Sequence, residues 1–156
     1  MVTAAYPSRI KPQWVKVPFA EIARCELPVF LFLAAVVAFS FYLTPSPNLY
    51  GTHTQLGLPP CPMMAIFHVR CPGCGLTTSF AAAAHGKWAM GFKAHPAGPL
   101  LWLATVLGAL FYLFQIVSGQ RFVSGLTPER QSHYFLWAIY VVVGAGLARN
   151  VIEFFW

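Results

Sequence analysis

The chain contains no aspartate and only four glutamates, and charged residues of either sign make up 9% of its 156 positions. Soluble domains carry roughly 25% charge, so this shortage alone argues against an ordinary cytosolic enzyme. The net charge of +6 comes from missing acids, because the ten Lys and Arg residues form no dense run. They are scattered from Arg9 to Arg149, without the clustered basic face of a nucleic-acid binder, and no nucleic-acid partner is expected. Catalytic sets are also missing. No HExxH, phosphate loop, paired carboxylates or Ser-His-acid combination occurs, so the expectation is a protein that is not an enzyme.

Apolar residues are abundant instead: 58% of the chain is hydrophobic and 16% aromatic, with 14 Phe. Three uncharged runs stand out. Leu27 to Leu43 offers 17 residues, Gly98 to Val117 offers 20, and Tyr134 to Ala148 offers 15 before Arg149. At 1.5 Å per residue the first run makes a helix of about 26 Å, near the lower limit for crossing a bilayer. The pattern predicts an all-α integral membrane protein forming a single membrane domain, with transmembrane helices at 27–43, 98–117 and 134–148 in contact with the lipid bilayer. The 26 residues before the first run are long for a signal peptide, and no small-x-small site follows it, so an uncleaved anchor is expected. No acid, Lys, Arg or His lies inside the runs, which argues against a transporter.

Basic residues set the expected orientation. Arg9, Lys11, Lys16, Arg24, Arg121 and Arg130 fall on one side, against Arg70, Lys87, Lys93 and Arg149 on the other. The positive-inside rule then predicts a cytoplasmic N-terminal segment 1–26, an extracytoplasmic loop 44–97 and an outside C-terminus. Each run also carries a small-xxx-small pair (Ala34/Ala38, Ala104/Gly108, Gly144/Ala148) that permits close helix approach.

The loop 44–97 holds three of the four cysteines and four of the five histidines. Its first half is rich in Pro and Gly and lacks periodicity. Its second half opens with Cys71-Pro72-Gly73-Cys74-Gly75 and continues into an alanine-rich, proline-free stretch that predicts one interfacial or re-entrant helix over 76–92, with Leu76, Phe80, Ala84, Trp88 and Phe92 recurring along one side. A cysteine pair at a helix start gains thiolate character from the unpaired amides there. Three chemistries remain open for Cys61, Cys71 and Cys74. With His68, His85 or His95 as a fourth ligand they make a zinc site, and His68 completes the preferred set Cys61, Cys71, Cys74, His68. A CxxC at a helix start also suits thiol-disulfide exchange, although no βαβ pattern surrounds it. A structural disulfide is the third option. Haem attachment is disfavoured, since Gly75 stands where that motif needs His. Cys25 reads as an apolar filler, His53 and His133 as interfacial polar residues, and His95-Pro96 as the end of the loop helix.

Residues 61–103, from Cys61-Pro62 through the CPGCGLTT box to the second run, resemble a family of small bacterial membrane proteins grouped as a domain of unknown function. That family shows a Cys-Pro followed ten residues later by a CPxCGxTR box. Cys61-Pro62, Cys71-Pro72, Cys74-Gly75 and Thr77 match at that spacing, whereas Thr78 replaces the Arg of the box and Phe67-His68 stand where Thr-Gly is common. The resemblance implies a multi-pass protein of the bacterial inner membrane and singles out the cysteine box. Two functions compete: a non-enzymatic accessory or structural subunit of a larger membrane-protein complex, expected first, and a metal-binding or thiol-disulfide protein acting through the CPGC box.

Overall fold

The computed structural model describes residues 13–16, 18–67, 70–123 and 128–155. Its frame is a pair of long helices, α1 (Phe19–Tyr42) and α5 (Gly98–Ser118), packed side by side. Both are long and apolar enough to cross a membrane: the windows Arg24–Tyr42 and Gly98–Ser118 have mean hydropathies of 2.0 and 2.1. Only 11% and 6% of those windows is buried within the protein, so their apolar side chains point outward, unlike the core helices of a soluble domain. Trp102 Nε1 donates to Ser40 Oγ at 2.8 Å across the pair, and a Cβ on Gly108 would meet Leu33 at 3.3 Å. The small residue of that pair therefore lies at a helix contact. Gly144, by contrast, has nothing within 4 Å of where its Cβ would be.

Between α1 and α5 the chain folds into a compact cap of short elements. A 3-10 turn (Thr52–Leu56) is followed by α2 (Pro62–Phe67), α3 (Leu76–Ala84) and α4 (Trp88–Ala94). The single helix expected over 76–92 is thus two helices. Gly86, at φ +73°, ends the first of them: its N–H bonds the Ala83 carbonyl at 3.0 Å and the Lys87 N–H bonds the Ala82 carbonyl at 2.8 Å, a Schellman ending that reverses the chain. The expected stripe of large residues is not the packed side either. α3 buries Thr78, Ser79, Ala81, Ala82 and Ala83, small side chains that let it approach α1, α4 and α5 closely, and so it packs onto the helix pair instead of lying apart from it.

The opposite end adds a two-stranded ribbon to the mostly helical architecture that was expected. Four-residue strands β1 (Gln13–Lys16), inside the expected N-terminal segment 1–26, and β2 (Gln120–Val123), just after α5, pair antiparallel with Trp14 opposite Phe122. Trp14 sits among Phe122, Phe114 and Phe111 at ring-centroid distances of 5.0, 5.8 and 6.1 Å. Aromatic packing against α5, a tertiary effect, stabilises strands too short to show alternation by themselves.

After β2 comes α6 (Pro128–Phe155). Its apolar part, Leu136–Val151, is shorter than the two candidate spans, so the third crossing expected at 134–148 does not pass the same length and composition test. Among the described residues α6 makes no broad packing against another helix or strand. It touches the cap near its end, through Gly146, Arg149 and Asn150.

Candidate metal centre

The cysteine box is a tight turn. Cys71 accepts from the Cys74 N–H at 2.9 Å, with Pro72 supplying the fixed φ that such a turn uses, and the two sulfurs come to 3.1 Å. Gly75 follows at φ +89°, and a Cβ there would collide with the Ala94 carbonyl oxygen and lie 2.9 Å from that of Leu49. Glycine is required on both counts, conformation and space, for the box to settle against α4 and lead into α3.

Cys61 joins the box from the N-cap of α2, its carbonyl accepting from the Ala65 N–H at 2.9 Å. The Sγ atoms of Cys61, Cys71 and Cys74 all lie within 4.8 Å of one another, close enough to hold a single metal ion. All three are free thiols, and they line a cleft of about 480 Å³ together with Tyr50, His53 and Met64. Their chemistry differs. The backbone N–H of Met64 foremost, then the Cys74 thiol, holds Cys61 down at about 7, so it is substantially thiolate at neutral pH. Burial foremost, with its hydrogen bonds to Cys71 and Cys61, pushes Cys74 up to about 12, so it stays protonated at neutral pH.

The other expected residues fall as follows. His68 lies outside the described residues. His53 lines the cleft, but its Nε2 meets the Pro59 carbonyl at 3.3 Å and it does not join the sulfur cluster. His85 turns its Nε2 to the Leu43 carbonyl at 3.1 Å, which anchors the end of α1. His95 is fully buried, and its Nε2 donates to the Pro72 carbonyl at 3.1 Å, supporting the box instead of offering a ligand atom. Burial foremost, and the nearby Arg149 cation, lower the His95 pKa and keep it neutral, while the bond to Pro72 works against this. Cys25 is exposed on α1 and is not one of the clustered thiols. Thr78 is fully buried and shares a 2.8 Å hydrogen bond with Thr52 Oγ1.

Sequence reasoning missed Arg149. It was counted as a topology charge, yet it is only 6% exposed, and its guanidinium donates to the carbonyls of Cys74 (2.7 Å) and Ala94. Next to it Asn150 Nδ2 donates to the Arg70 carbonyl at 2.6 Å. An Arg-Asn pair closing an apolar helix was the available signal, since such groups are expensive near lipid unless they bond to something.

Residues 61–109 match the family model described as DUF2752, a protein of unknown function. The match begins at Cys61 and ends inside α5, so it takes in all three clustered thiols and the whole of α2, α3 and α4, and leaves Arg149 outside. No curated protein and no solved structure matches this chain.

Proposed function

We propose that this chain is an integral membrane protein that holds one soft metal ion, zinc or copper(I), through Cys61, Cys71 and Cys74. The convergence of three thiols within 4.8 Å carries the reading. Thiolates select such ions, and the roughly 2.3 Å zinc–sulfur bond puts sulfurs about 3.8 Å apart in a tetrahedral site, inside the observed span. The three cysteines bind the ion, and the cleft that they line admits a fourth ligand: solvent, a cargo ligand or His68. Cys74 would give up its thiol proton to solvent in order to hold the ion. Mostly outward-facing α1 and α5 support membrane insertion, and α6, whose 22 residues from Pro128 to Arg149 reach about 33 Å, serves as a third crossing that returns the chain to the cap. The box then lies on the side opposite the ribbon, the extracytoplasmic side by the distribution of basic residues.

Metal analysis of the chain purified in detergent under reducing conditions tests this. One equivalent of zinc or copper is expected, and lost in each of Cys61→Ser, Cys71→Ser and Cys74→Ser. Metal-free protein that instead cycles between dithiol and a Cys71–Cys74 disulfide would overturn the metal reading in favour of thiol exchange. A second reading, an accessory subunit of a larger membrane complex, is favoured by α6, where Trp137, Tyr140 and Val141 are all at least 60% exposed. Stoichiometric partners retained through gentle extraction are its test.

A further inference from the structure

The cysteine box has two sides. Its sulfurs line the cleft with Tyr50, His53 and Met64, whereas Arg149 lines a separate depression with Leu49, Phe92 and Ala148. On the second side, alternate carbonyls of the box each accept a hydrogen bond from outside it. Asn150 Nδ2 donates to Arg70 at 2.6 Å, His95 Nε2 to Pro72 at 3.1 Å and Arg149 to Cys74 at 2.7 Å. Arg149 also donates to the Ala94 carbonyl, the one that Gly75 approaches, so it joins the box to the end of α4. Two of the three donors come from α6. That helix also presses Gly146 onto the box: a Cβ there would collide with the Pro72 carbonyl oxygen and stand 2.6 Å from its carbon.

These contacts exceed what is needed to tether a helix. Carbonyls 70, 72 and 74 bracket the peptide units that carry Cys71 and Cys74, and fixing them fixes the direction in which both sulfurs leave the chain. From this geometry we infer that α6 is a positioning helix for the thiol centre: Gly146, Arg149 and Asn150 hold the carbonyl side of the box so that Cys71 and Cys74 meet Cys61 on the other. The inference rests on reading the three thiols as a metal centre. It makes metal binding and the docking of α6 linked equilibria, so that an ion bound at the sulfurs tightens α6 and a displaced α6 weakens the site by the same factor.

Two glycines two residues apart allow a test on the full chain in detergent. Gly146→Ala and Gly144→Ala raise helix propensity equally, but only the first places a methyl group against Pro72, since nothing lies within 4 Å of the Gly144 position. Cobalt(II) is the probe, read by thiolate charge-transfer bands and by competition with a chelator. Gly146→Ala should weaken cobalt binding about tenfold or more, the range seen when partners behind a metal ligand are lost, and should change the band shape, while Gly144→Ala stays within about twofold. Arg149→Lys, which keeps one donor, should fall between wild type and Arg149→Met. Hydrogen exchange at residues 70–76 should quicken in Gly146→Ala alone. Equal cobalt affinity and identical spectra in the two glycine variants would overturn the positioning role. If wild type, with its thiols reduced, takes up no cobalt, the metal reading falls, and exchange at 70–76 still decides the docking: quickening confined to Gly146→Ala supports it, and equal exchange in both variants overturns it.

Discussion

The two ends of the α1–α5 pair are held by different physics. At the ribbon end, Trp14 packs among phenylalanines, and the Glu26–Arg121 pair at 2.9 Å has one partner 44% exposed. At the cap end five buried side chains, Thr52, Thr78, Ser79, His95 and Arg149, are polar and sit among small alanines; Thr52 and Thr78 bond each other, and His95 and Arg149 bond backbone carbonyls. Non-directional packing holds elements together and tolerates small displacements, whereas buried hydrogen bonds have preferred distances and angles and are costly to leave unmade. On the proposed reading the cap end presents three sulfurs to one ion, a task that needs the second kind. The ribbon end needs only to stay closed.

The comparison can be broken or sharpened by substitution, in descending order of expected effect. Gly75→Ala should be the most damaging change, combining a strained positive φ, about 1–3 kcal/mol, with a methyl group driven into the Ala94 carbonyl, and loss of folded protein in a detergent unfolding assay would register it. Arg149→Met strips the Cys74 and Ala94 carbonyls of a charged donor, a destabilisation of about 3 kcal/mol by denaturant titration, accompanied by loss of metal. Trp14→Ala at the other end should cost about 1–2 kcal/mol of aromatic packing and leave metal affinity within about twofold, and a matching loss of metal would show that the two ends are not independent.

The thiols should separate by pH. Because the Cys61 pKa is depressed to about 7, its contribution to stability is fully present above the ordinary thiol value of 9.0 and is lost as pH falls through 7. Cys74 is raised to about 12, so its contribution is present below 9.0 and is lost as pH climbs toward 12. Residue-resolved alkylation of the metal-free protein should therefore show Cys61 reacting with a midpoint near pH 7, with Cys74 slow throughout the neutral range. The smallest effect belongs to Glu26→Gln, about 0–1 kcal/mol, because an exposed arginine recovers most of its hydration.

Legibility in the sequence followed the range of the signal. The run at 98–117 and the helix Gly98–Ser118 nearly coincide, because a long apolar stretch opened by Gly-Pro and closed by Gly119 states both its nature and its limits. The break at Gly86 was also written locally, as a C-terminal glycine, but the alanines around it outweighed it. Among site residues, Cys71 and Cys74 were legible as a turn, and Cys61 was grouped with them by spacing alone.

What the sequence determined by itself was composition and short-range order: three apolar runs, the two longer of which form helices long and apolar enough to cross a membrane, and a CPGC turn that brings two sulfurs together. Only the tertiary structure decided that Cys61 completes a cluster, that His95 supports the box, that Trp14 closes a ribbon, and that Arg149 reaches a carbonyl 75 positions away. Helix formation and turns depend on neighbours a few residues apart, so they are recorded in the local order of residues. A hydrogen bond between the last helix and a cysteine box exists only after the chain has doubled back, and nothing near either partner encodes the other.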